Sequence, residues 1–303
     1  MRSATAIVRT YNSAGTVAAA LRSLREQTVP VGVVVVDSGS DDDTLSVVEG
    51  YADAVVHLPR ADFTYGRALN RGAEAAPAPV HIALSSHCVL PRRDWVERAV
   101  RHVQGGAVAV GGQHLDGDRE RLRSPFSADH AYLVSHPFWG LSNHASAWSR
   151  DAWLRHRFDE TLRAAEDKEW SWRATADGGH VVVDPGLTVP ARHRRSAGTV
   201  HYYRRLVREI TALPRPLPSY GLQNAALDLV RALPDDPLVG ASRRLGRTRL
   251  IKVAARWYGG KRVPQALEAV PSGLCVPGCR CGPASGVSTA SGVSPASGVS
   301  PAS

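Results

Sequence analysis

The sequence predicts an α/β fold with a mostly parallel central sheet, and two patterns in the first 110 residues support this prediction. Short apolar runs alternate with amphipathic segments of helical period, which indicates strand–helix–strand units with right-handed crossovers. One run, VGVVVV at 31–36, is apolar and β-branched apart from its glycine, as expected for a parallel strand buried on both faces. In open sheets of this type, ligands bind beyond the carboxyl ends of the strands.

The predicted elements follow one another closely along the first third of the chain. TAIVR at 5–9 is typical of a strand, and Val17, Leu21 and Leu24 recur at the spacing of one helix face. After VGVVVV, Ser40 and the aspartates that follow it suit the N-cap and acidic first turn of a helix. Further strands are predicted at 54–57, 80–84 and 107–112, and further helices at about 66–75 and 95–103.

Beyond residue 110 the pattern is less regular. Loops rich in His, Trp, Ser and Asn are predicted up to about residue 160, followed by a helix at 166–177 and a strand at 180–183. We expect a principal domain at 1–200, a basic and mainly helical region at 201–270, and a low-complexity tail at 271–303. The tandem ASGVS repeats of that tail cannot bury enough apolar surface to fold, which predicts disorder.

The composition is typical of a globular protein without a transmembrane helix. Hydrophobic residues make up 43% of the chain, and no apolar run approaches the roughly 18–20 residues that span a bilayer. The first residues lack the apolar core and cleavage site of a secretory signal, so a cytoplasmic location is expected. Cys275, Cys279 and Cys281 fit no zinc or iron–sulfur spacing well, and we interpret them as incidental.

Positive charge is concentrated in one segment. The net charge of the chain is +9, and residues 191–262 alone carry 16 Lys or Arg against 4 Asp or Glu. Such a segment could contact nucleic acid, an anionic membrane surface or a phosphorylated ligand. The alternative is a solvated helix face without a specific partner.

Asp37 closes the buried run VGVVVV and is followed by a Ser-Gly-Ser turn. An acidic residue at the end of a parallel strand often accepts hydrogen bonds from a ribose or a base N–H. The alternative is an aspartate that only caps the turn or the next helix. No GxGxxG motif follows the first strand, which argues against an ordinary dinucleotide-binding domain.

Two other segments carry side chains suited to chemistry. His87 lies in LSSHCVLP, just beyond a predicted strand, and together with His193 it could ligate a divalent metal; a lone histidine more often has a structural role. Glu166, Asp167 and Glu169 cluster where a helix is predicted to start. Acidic residues there complement the helix dipole, and one of them could also serve as a general base.

Taken together, these segments resemble the family 2 glycosyltransferases, which have the GT-A nucleotide-diphospho-sugar transferase fold. The similarity covers about residues 4–200 and follows the order of the family's motifs. VRTYN is similar to the opening strand and nucleotide-contacting turn of the family. The resemblance therefore assigns contacts with a nucleotide-sugar donor to Thr10, Tyr11 and Asn12.

The next two motifs extend the donor site implied by the resemblance. VVVVDSGSDDDT is similar to the family's second strand, whose final aspartate binds the nucleobase in relatives. This assigns base recognition to Asp37 and capping of the following helix to Asp41–Asp43. FTYGRALNRG is similar to the helix that approaches the nucleotide and phosphates, which assigns donor contacts to Gly66, Arg67 and Asn70.

The last two motifs imply the acceptor side and the catalytic base. SNHASAWSRDAW is similar to an acceptor-side loop that commonly carries an asparagine, here Asn143. EDKEW is similar to the acidic motif whose aspartate is the catalytic base. The resemblance assigns that role to Asp167, with Glu166 beside it in the catalytic set.

The chain departs from the family where a metal is usually held. Relatives have Asp-x-Asp at the end of the fourth strand, whereas this chain has Ser85, Ser86 and His87. His87 and His193 are the implied ligands of manganese or magnesium, and Ser86 is kept among the donor contacts. Imidazole binds hard cations less firmly than carboxylate does, so weak metal binding is expected, with arginine partly replacing the metal.

The resemblance implies an inverting transfer from a nucleotide-diphosphate sugar to a hydroxyl, in polysaccharide or glycoconjugate biosynthesis. Charge on the leaving diphosphate would be stabilised by the metal together with Arg67, Arg192 or Arg194. A lipid-linked acceptor and peripheral membrane contact through residues 191–262 fit the basic segment, and no nucleic acid is expected.

Two other classes remain open from the sequence. A sugar-nucleotide nucleotidyltransferase can share the sheet architecture, but RTYNSAG lacks the lysine that its triphosphate loop would need. A degenerate protein that binds sugar nucleotides or anionic surfaces without catalysis is the other alternative, because the Asp-x-Asp is missing.

Overall fold

Eight strands form one mixed sheet in the computed structural model, which describes residues 2–113, 122–136 and 139–190. The strand order across the sheet is β3-β2-β1-β4-β7-β5-β8-β6. Six strands run in one direction, and β6 and β7 run in the other. The strands are β1 Ala4–Thr10, β2 Val31–Asp37, β3 Ala54–His57, β4 Val80–Ser85, β5 Ala109–Gly111, β6 Phe126–Ala128, β7 Ala145–Ser149 and β8 Val181–Val183.

Helices cover both faces of this sheet and form two apolar layers. The run in β2 contributes Val33 and Val35 to one layer and Val34 and Val36 to the other, as predicted for a strand buried on both sides. Helices α1, α2 and α4 lie on the first face, and α3, α6 and α7 lie on the second. The helices are α1 Ala14–Arg25, α2 Thr44–Glu49, α3 Tyr65–Glu74, α4 Trp95–Gln104, α5 His130–Ser135, α6 Arg150–Arg155 and α7 Glu166–Ala176, with 3-10 turns at Arg60–Asp62 and Pro185–Leu187.

The prediction of loops between residues 110 and 160 is wrong for much of that stretch. It contains β6, α5, β7 and α6. Strand β7 is fully inserted in the sheet, where it pairs antiparallel with both β4 and β5. Its sequence ASAWS lacks β-branched residues, so local preference does not indicate a strand, and pairing on both edges stabilises it instead.

Several predictions concern residues outside the described ranges. These are the ligand His193, the arginines at 192 and 194, the basic helical region at 201–270, the tail at 271–303 and membrane contact through 191–262. Among the described residues, no helix is long and apolar enough to cross a membrane.

Candidate functional site

The carboxyl ends of β1, β2 and β4 meet at one edge of the sheet and bring some of the predicted donor residues together. Thr10 at the end of β1 is the register partner of Asp37 at the end of β2. On its other side, β1 places Arg9 beside Ser85 of β4. Parallel pairing therefore gathers segments that are far apart in sequence into one edge, as the alternation of strands and helices predicts.

The carboxylate of Asp37 is 1% exposed and is bound on both oxygens by the protein itself. Its Oδ1 accepts from the hydroxyls of Thr10 at 2.9 Å and Ser40 at 2.5 Å. Its Oδ2 accepts from the main-chain N–H groups of Gly39 at 3.0 Å and Ser40 at 2.9 Å. These four bonds use the acceptor capacity of a carboxylate. A nucleobase contact by Asp37 therefore stays a prediction that requires one of these donors to move.

The loop after β1 is joined to the loops after β2 and β4. Asn12 has a φ of 44°, in the left-handed region that asparagine tolerates, and its side-chain oxygen accepts from the N–H of Asp41 at 3.0 Å. The hydroxyls of Ser13 and Ser86 are hydrogen-bonded at 2.9 Å. Tyr11 is 43% exposed, with the Arg60 guanidinium 4.1 Å from its ring centre. Tyr11 thus presents an aromatic surface that a base could contact.

Of the three aspartates predicted to cap the helix, Asp41–Asp43, only Asp42 accepts side-chain hydrogen bonds from the starts of the described helices. Asp42 accepts from the N–H of Thr44 at 3.0 Å and also from the N–H of Ala14 at 3.1 Å. Asp43 occupies the N-cap position of α2 without a capping bond from its side chain. Asp42 therefore fixes the starts of α1 and α2 together.

The predicted donor residues of α3 are engaged with the segment at 158–160. Asn70 is 2% exposed. Its side-chain nitrogen donates to Phe158 O and to the Glu160 carboxylate, and its side-chain oxygen accepts from the indole of Trp153 and the N–H of Phe158, all at 2.9–3.1 Å. Arg67 Nε is 2.8 Å from the Glu160 carboxylate. A Cβ on Gly66 would lie 2.5 Å from Asp159 O. These contacts dock α3, and donor binding by the three residues remains a prediction.

Glu166 and Asp167 form a buried acid pair in the first turn of α7, where they are 1% and 9% exposed. Asn143 binds both carboxylates: its main-chain N–H donates to Asp167 Oδ2 at 3.1 Å, and its amide donates to Glu166 Oε1. Burial, followed by the charge of Asp167, raises the pKa of Glu166 to about 7. Asn143 therefore lies against the acid pair, in a region that the sequence assigned to the acceptor side.

The loop that carries Asn143 is fixed on α7. Lys168 Nζ donates to Leu141 O and lies 3.8 Å from Asp167 Oδ2, while the N–H of Leu141 donates to Ser171 Oγ at 2.8 Å. Gly140 has a φ of 114°, and a Cβ there would lie 2.8 Å from Ser171 Oγ. Both the conformation and the close approach require glycine at this position.

Arg9 is a site residue that the sequence analysis did not single out. Its side chain is buried in the sheet edge, where Nη2 donates to the main-chain oxygen of Asn143 and to Ser85 Oγ at 3.3 Å. Burial lowers the pKa of the Arg9 guanidinium, and the charges of Glu166 and Asp167 act in the opposite direction. An arginine, the one charged residue in the buried strand ATAIVRT, is the signal that could have identified it.

The described residues do not form a carboxylate-rich metal site. His87 lies near His144, with 6.1 Å between the ring centres, and the neighbouring Ser85 and Ser86 offer hydroxyls rather than carboxylates. Within the described ranges, no group of three or more His, Cys, Asp or Glu side chains could hold a metal ion. Hard cations prefer carboxylate oxygens, and the described donors are hydroxyls and one imidazole, so this set does not fit a tightly bound hard cation. The second predicted ligand, His193, lies outside the described ranges.

Comparison with protein families and curated sequences identifies relatives of this chain. Residues 5–162 match the family described as glycosyl transferase family 2, a match that ends before Glu166. The chain is 29% identical over 222 residues to the succinoglycan biosynthesis protein ExoO of Rhizobium meliloti, which corresponds to 66% of this chain and 60% of that protein. The chain thus spans about three fifths of this relative's length.

Solved structures share the fold at low sequence identity. The mannosyltransferase PcManGT of Pyrobaculum calidifontis, in complex with GDP-Man and Mn²⁺, superposes with a TM-score of 0.62 at 20% identity, covering 86% of this chain and 87% of that chain. TarS 1-349 of S. aureus, in complex with UDP-GlcNAc, has a TM-score of 0.53 at 17% identity, covering 86% of this chain and 92% of that chain. Both likenesses support the GT-A architecture.

Proposed function

The chain belongs to glycosyl transferase family 2, and we propose that it transfers a sugar from a nucleotide-diphosphate sugar to an acceptor hydroxyl with inversion. The observation that carries this proposal is the buried Glu166–Asp167 pair, which Asn143 and Arg9 connect to the strand edge bearing the donor residues. The donors named in the complexes of the structural neighbours, GDP-Man and UDP-GlcNAc, support the substrate class.

In the proposed reaction, Asp167 removes the proton of the acceptor hydroxyl while the oxygen attacks the anomeric carbon. Attack from the face opposite the leaving nucleoside diphosphate inverts the configuration in a single displacement. The transition state is expected to be oxocarbenium-like, as in glycoside hydrolysis. General-base assistance of this kind typically contributes about a hundred- to ten-thousand-fold.

The surroundings of the two carboxylates favour Asp167 over Glu166 as the base. The side chain of Asp167 is 13% exposed and lies 3.8 Å from the ammonium of Lys168, so it has both access to an acceptor and a nearby positive charge. Glu166 is almost completely buried, and its carboxylate accepts from the amide of Asn143, so an acceptor hydroxyl has little access to it. Glu166 therefore suits a supporting role in the pair.

The donor is proposed to lie along the ends of β1, β2 and β4, on the same edge as the acid pair. Tyr11 offers its exposed ring to the base, and Thr10, Asn12, Asp37 and Ser86 shape the loops around it. A polysaccharide chain is the acceptor class that we propose, because the curated relative is named for succinoglycan biosynthesis.

No step of this mechanism is assigned to a metal ion, because the described donor set does not fit one. His87 is the described residue that would contact a cation at the family's metal position. The prediction of metal dependence is checked by measuring donor turnover with manganese and after chelation with EDTA.

Asp167→Asn tests the proposed base. We expect donor affinity, measured by calorimetry with GDP-Man and UDP-GlcNAc, to change less than about threefold. Turnover, measured as release of nucleoside diphosphate in the presence of acceptor, should fall about a hundred- to ten-thousand-fold because proton removal is lost.

Asp177→Asn is the matched control for this experiment, since Asp177 lies just after the end of the same helix with a side chain that is 70% exposed. This control should keep the turnover of the unmodified protein. Near-normal turnover of Asp167→Asn would remove Asp167 from the role of base, and absence of binding to every nucleotide sugar tested would contradict the proposed function.

A further inference from the structure

The guanidinium of Arg9 is buried with part of its hydrogen-bonding capacity unused. The residue is 7% exposed, and both Nε and Nη1 are buried without a hydrogen-bond partner among the residues that the structure describes. Burying a charged group with unsatisfied donors costs free energy, and such groups are rare without a functional reason. The position of Arg9 in a strand of the central sheet therefore calls for an explanation beyond packing.

The bonds that Arg9 does make lead directly to the acid pair. Nη2 donates to the main-chain oxygen of Asn143, a residue 134 positions further along the chain. The main-chain N–H of Asn143 binds Asp167, and its amide binds Glu166. One residue thus lies between the guanidinium and both carboxylates.

A second cation holds the other end of the same loop. Lys168 Nζ donates to Leu141 O, so the segment 141–143 is held by Lys168 at one carbonyl and by Arg9 at the other. The ring of Tyr65 lies 5.4 Å from the Arg9 guanidinium and helps to fix its plane, and Ser85 accepts a further bond from Nη2. The loop is therefore clamped between the sheet edge and the first turn of α7.

We propose that Arg9 is a positioning residue for sugar transfer: it fixes Asn143, and through Asn143 it aims Glu166 and Asp167 at the acceptor. This inference rests on the proposed function. Removing the guanidinium leaves the carbonyl of Asn143 without its donor and lets the loop shift, while the donor residues at the ends of β1 and β2 keep their own bonds. A displacement of about 1 Å at a reacting group can reduce turnover by about a hundredfold.

Arg9→Met and Arg9→Lys in the full chain test this role. Met keeps the volume of the side chain and removes every donor, whereas Lys keeps a positive charge that can reach one acceptor. We expect kcat to fall about a hundredfold in Arg9→Met and less in Arg9→Lys, with the KM for the nucleotide-sugar donor within about twofold of the unmodified protein. Thermal unfolding of each variant reports whether the fold is kept.

Arg71→Met is the control for loss of an arginine, because Arg71 lies on α3 with a side chain that is 57% exposed. It should keep both kcat and KM. A double variant gives a further readout: adding Arg9→Met to Asp167→Asn should reduce turnover less than Arg9→Met does alone, because both changes act on the same base.

Two results would overturn the inference. A rise in donor KM with unchanged kcat would make Arg9 a donor-binding residue. A kcat within twofold of the unmodified protein in both Arg9 variants, with donor KM unchanged, would show that Arg9 has a structural role only. If Arg9→Met does not fold, Arg9→Lys decides by the same criteria. The proposed base fails separately, through normal turnover of Asp167→Asn, so each failure can be identified.

Discussion

At the scale of single residues, the buried carboxylates of Asp37 and Glu166 have different surroundings. Asp37 accepts four hydrogen bonds from hydroxyl and main-chain donors at the end of β2. Glu166 is equally buried but lies beside a second carboxylate, and burial with that neighbouring charge raises its pKa to about 7. Asp37 therefore holds its loop through these four bonds, whereas ionised Glu166 lies in the fold at a cost in free energy.

This difference predicts a pH-dependent effect of Glu166→Gln on stability. The pKa of Glu166 is raised on folding, so the free energy of unfolding is highest below the ordinary pKa of a glutamate and falls as the pH rises through about 7. Gln cannot ionise and still offers an oxygen to the amide of Asn143. We expect the variant to gain up to about 3 kcal/mol over the unmodified protein between about pH 4 and pH 8.

Urea denaturation at several pH values measures this difference. Asp177→Asn serves again as the control, because its exposed carboxylate makes an ion pair with His156 only at the protein surface and should change stability little. A Glu166→Gln variant whose stability relative to the unmodified protein does not rise with pH would contradict this account of the acid pair.

At the scale of elements, a buried carboxylate joins α4 to the end of β8. Asp184 is 0% exposed and accepts from Arg98 at 2.5 and 3.0 Å, from His102 at 2.7 Å and from the N–H of Gly186 at 2.8 Å. Burial acts to raise the pKa of Asp184, but the bonds from Arg98, His102 and Gly186 outweigh it and hold the pKa below its ordinary value. The ionised carboxylate therefore stabilises the packing of α4 on the sheet.

Asp184→Asn should lower the free energy of unfolding by about 2 kcal/mol at neutral pH, because charge-assisted bonds become neutral ones. The pKa of Asp184 is depressed, so its contribution is present above the ordinary pKa of an aspartate and is lost as the pH falls through the lower folded value. The difference between variant and unmodified protein should therefore shrink in acid. Denaturant titration at neutral and acid pH measures it.

Asp94→Asn provides the comparison for this prediction, since Asp94 lies at the start of the same helix and is paired with Arg92 at the surface. Its effect on the free energy of unfolding should be much smaller than that of Asp184→Asn, because solvent screens an exposed pair. An Asp184→Asn variant as stable as Asp94→Asn at neutral pH would show that the buried pair does not hold α4.

At the scale of the whole molecule, charge is distributed unevenly along the chain. Residues 191–262 carry a surplus of +12, whereas the rest of the chain sums to −3. These residues lie outside the described ranges, and membrane contact through them stays a prediction. We expect the full chain to sediment with vesicles that contain anionic phosphatidylserine at low salt and to be released at about 0.5 M salt, because salt screens such attraction.

Vesicles of neutral phosphatidylcholine should not bind the chain at either salt concentration. Equal sedimentation with both lipids, or sedimentation that is independent of salt, would contradict an electrostatic contact. The acid pair, Glu166 and Asp167, lies outside the basic segment at 191–262. Turnover measured with and without anionic vesicles therefore shows whether membrane contact affects catalysis.

Local patterns in the sequence by themselves determined most strands and helices of the first 110 residues, together with the edge of the sheet that carries Thr10, Asp37 and Ser86. Such elements are encoded locally because each carries its own apolar face. The short strand β7 could not be recognised, since Ala and Ser have low strand preference and pairing with β4 and β5 stabilises it.

Only the tertiary structure decided that Arg9, Asn143 and the acid pair share one network, and that the amide of Asn70 is occupied inside the fold. These contacts join residues up to 134 positions apart. No local preference specifies such a pairing; it follows from which strands are neighbours in the sheet and from how α7 packs against their ends.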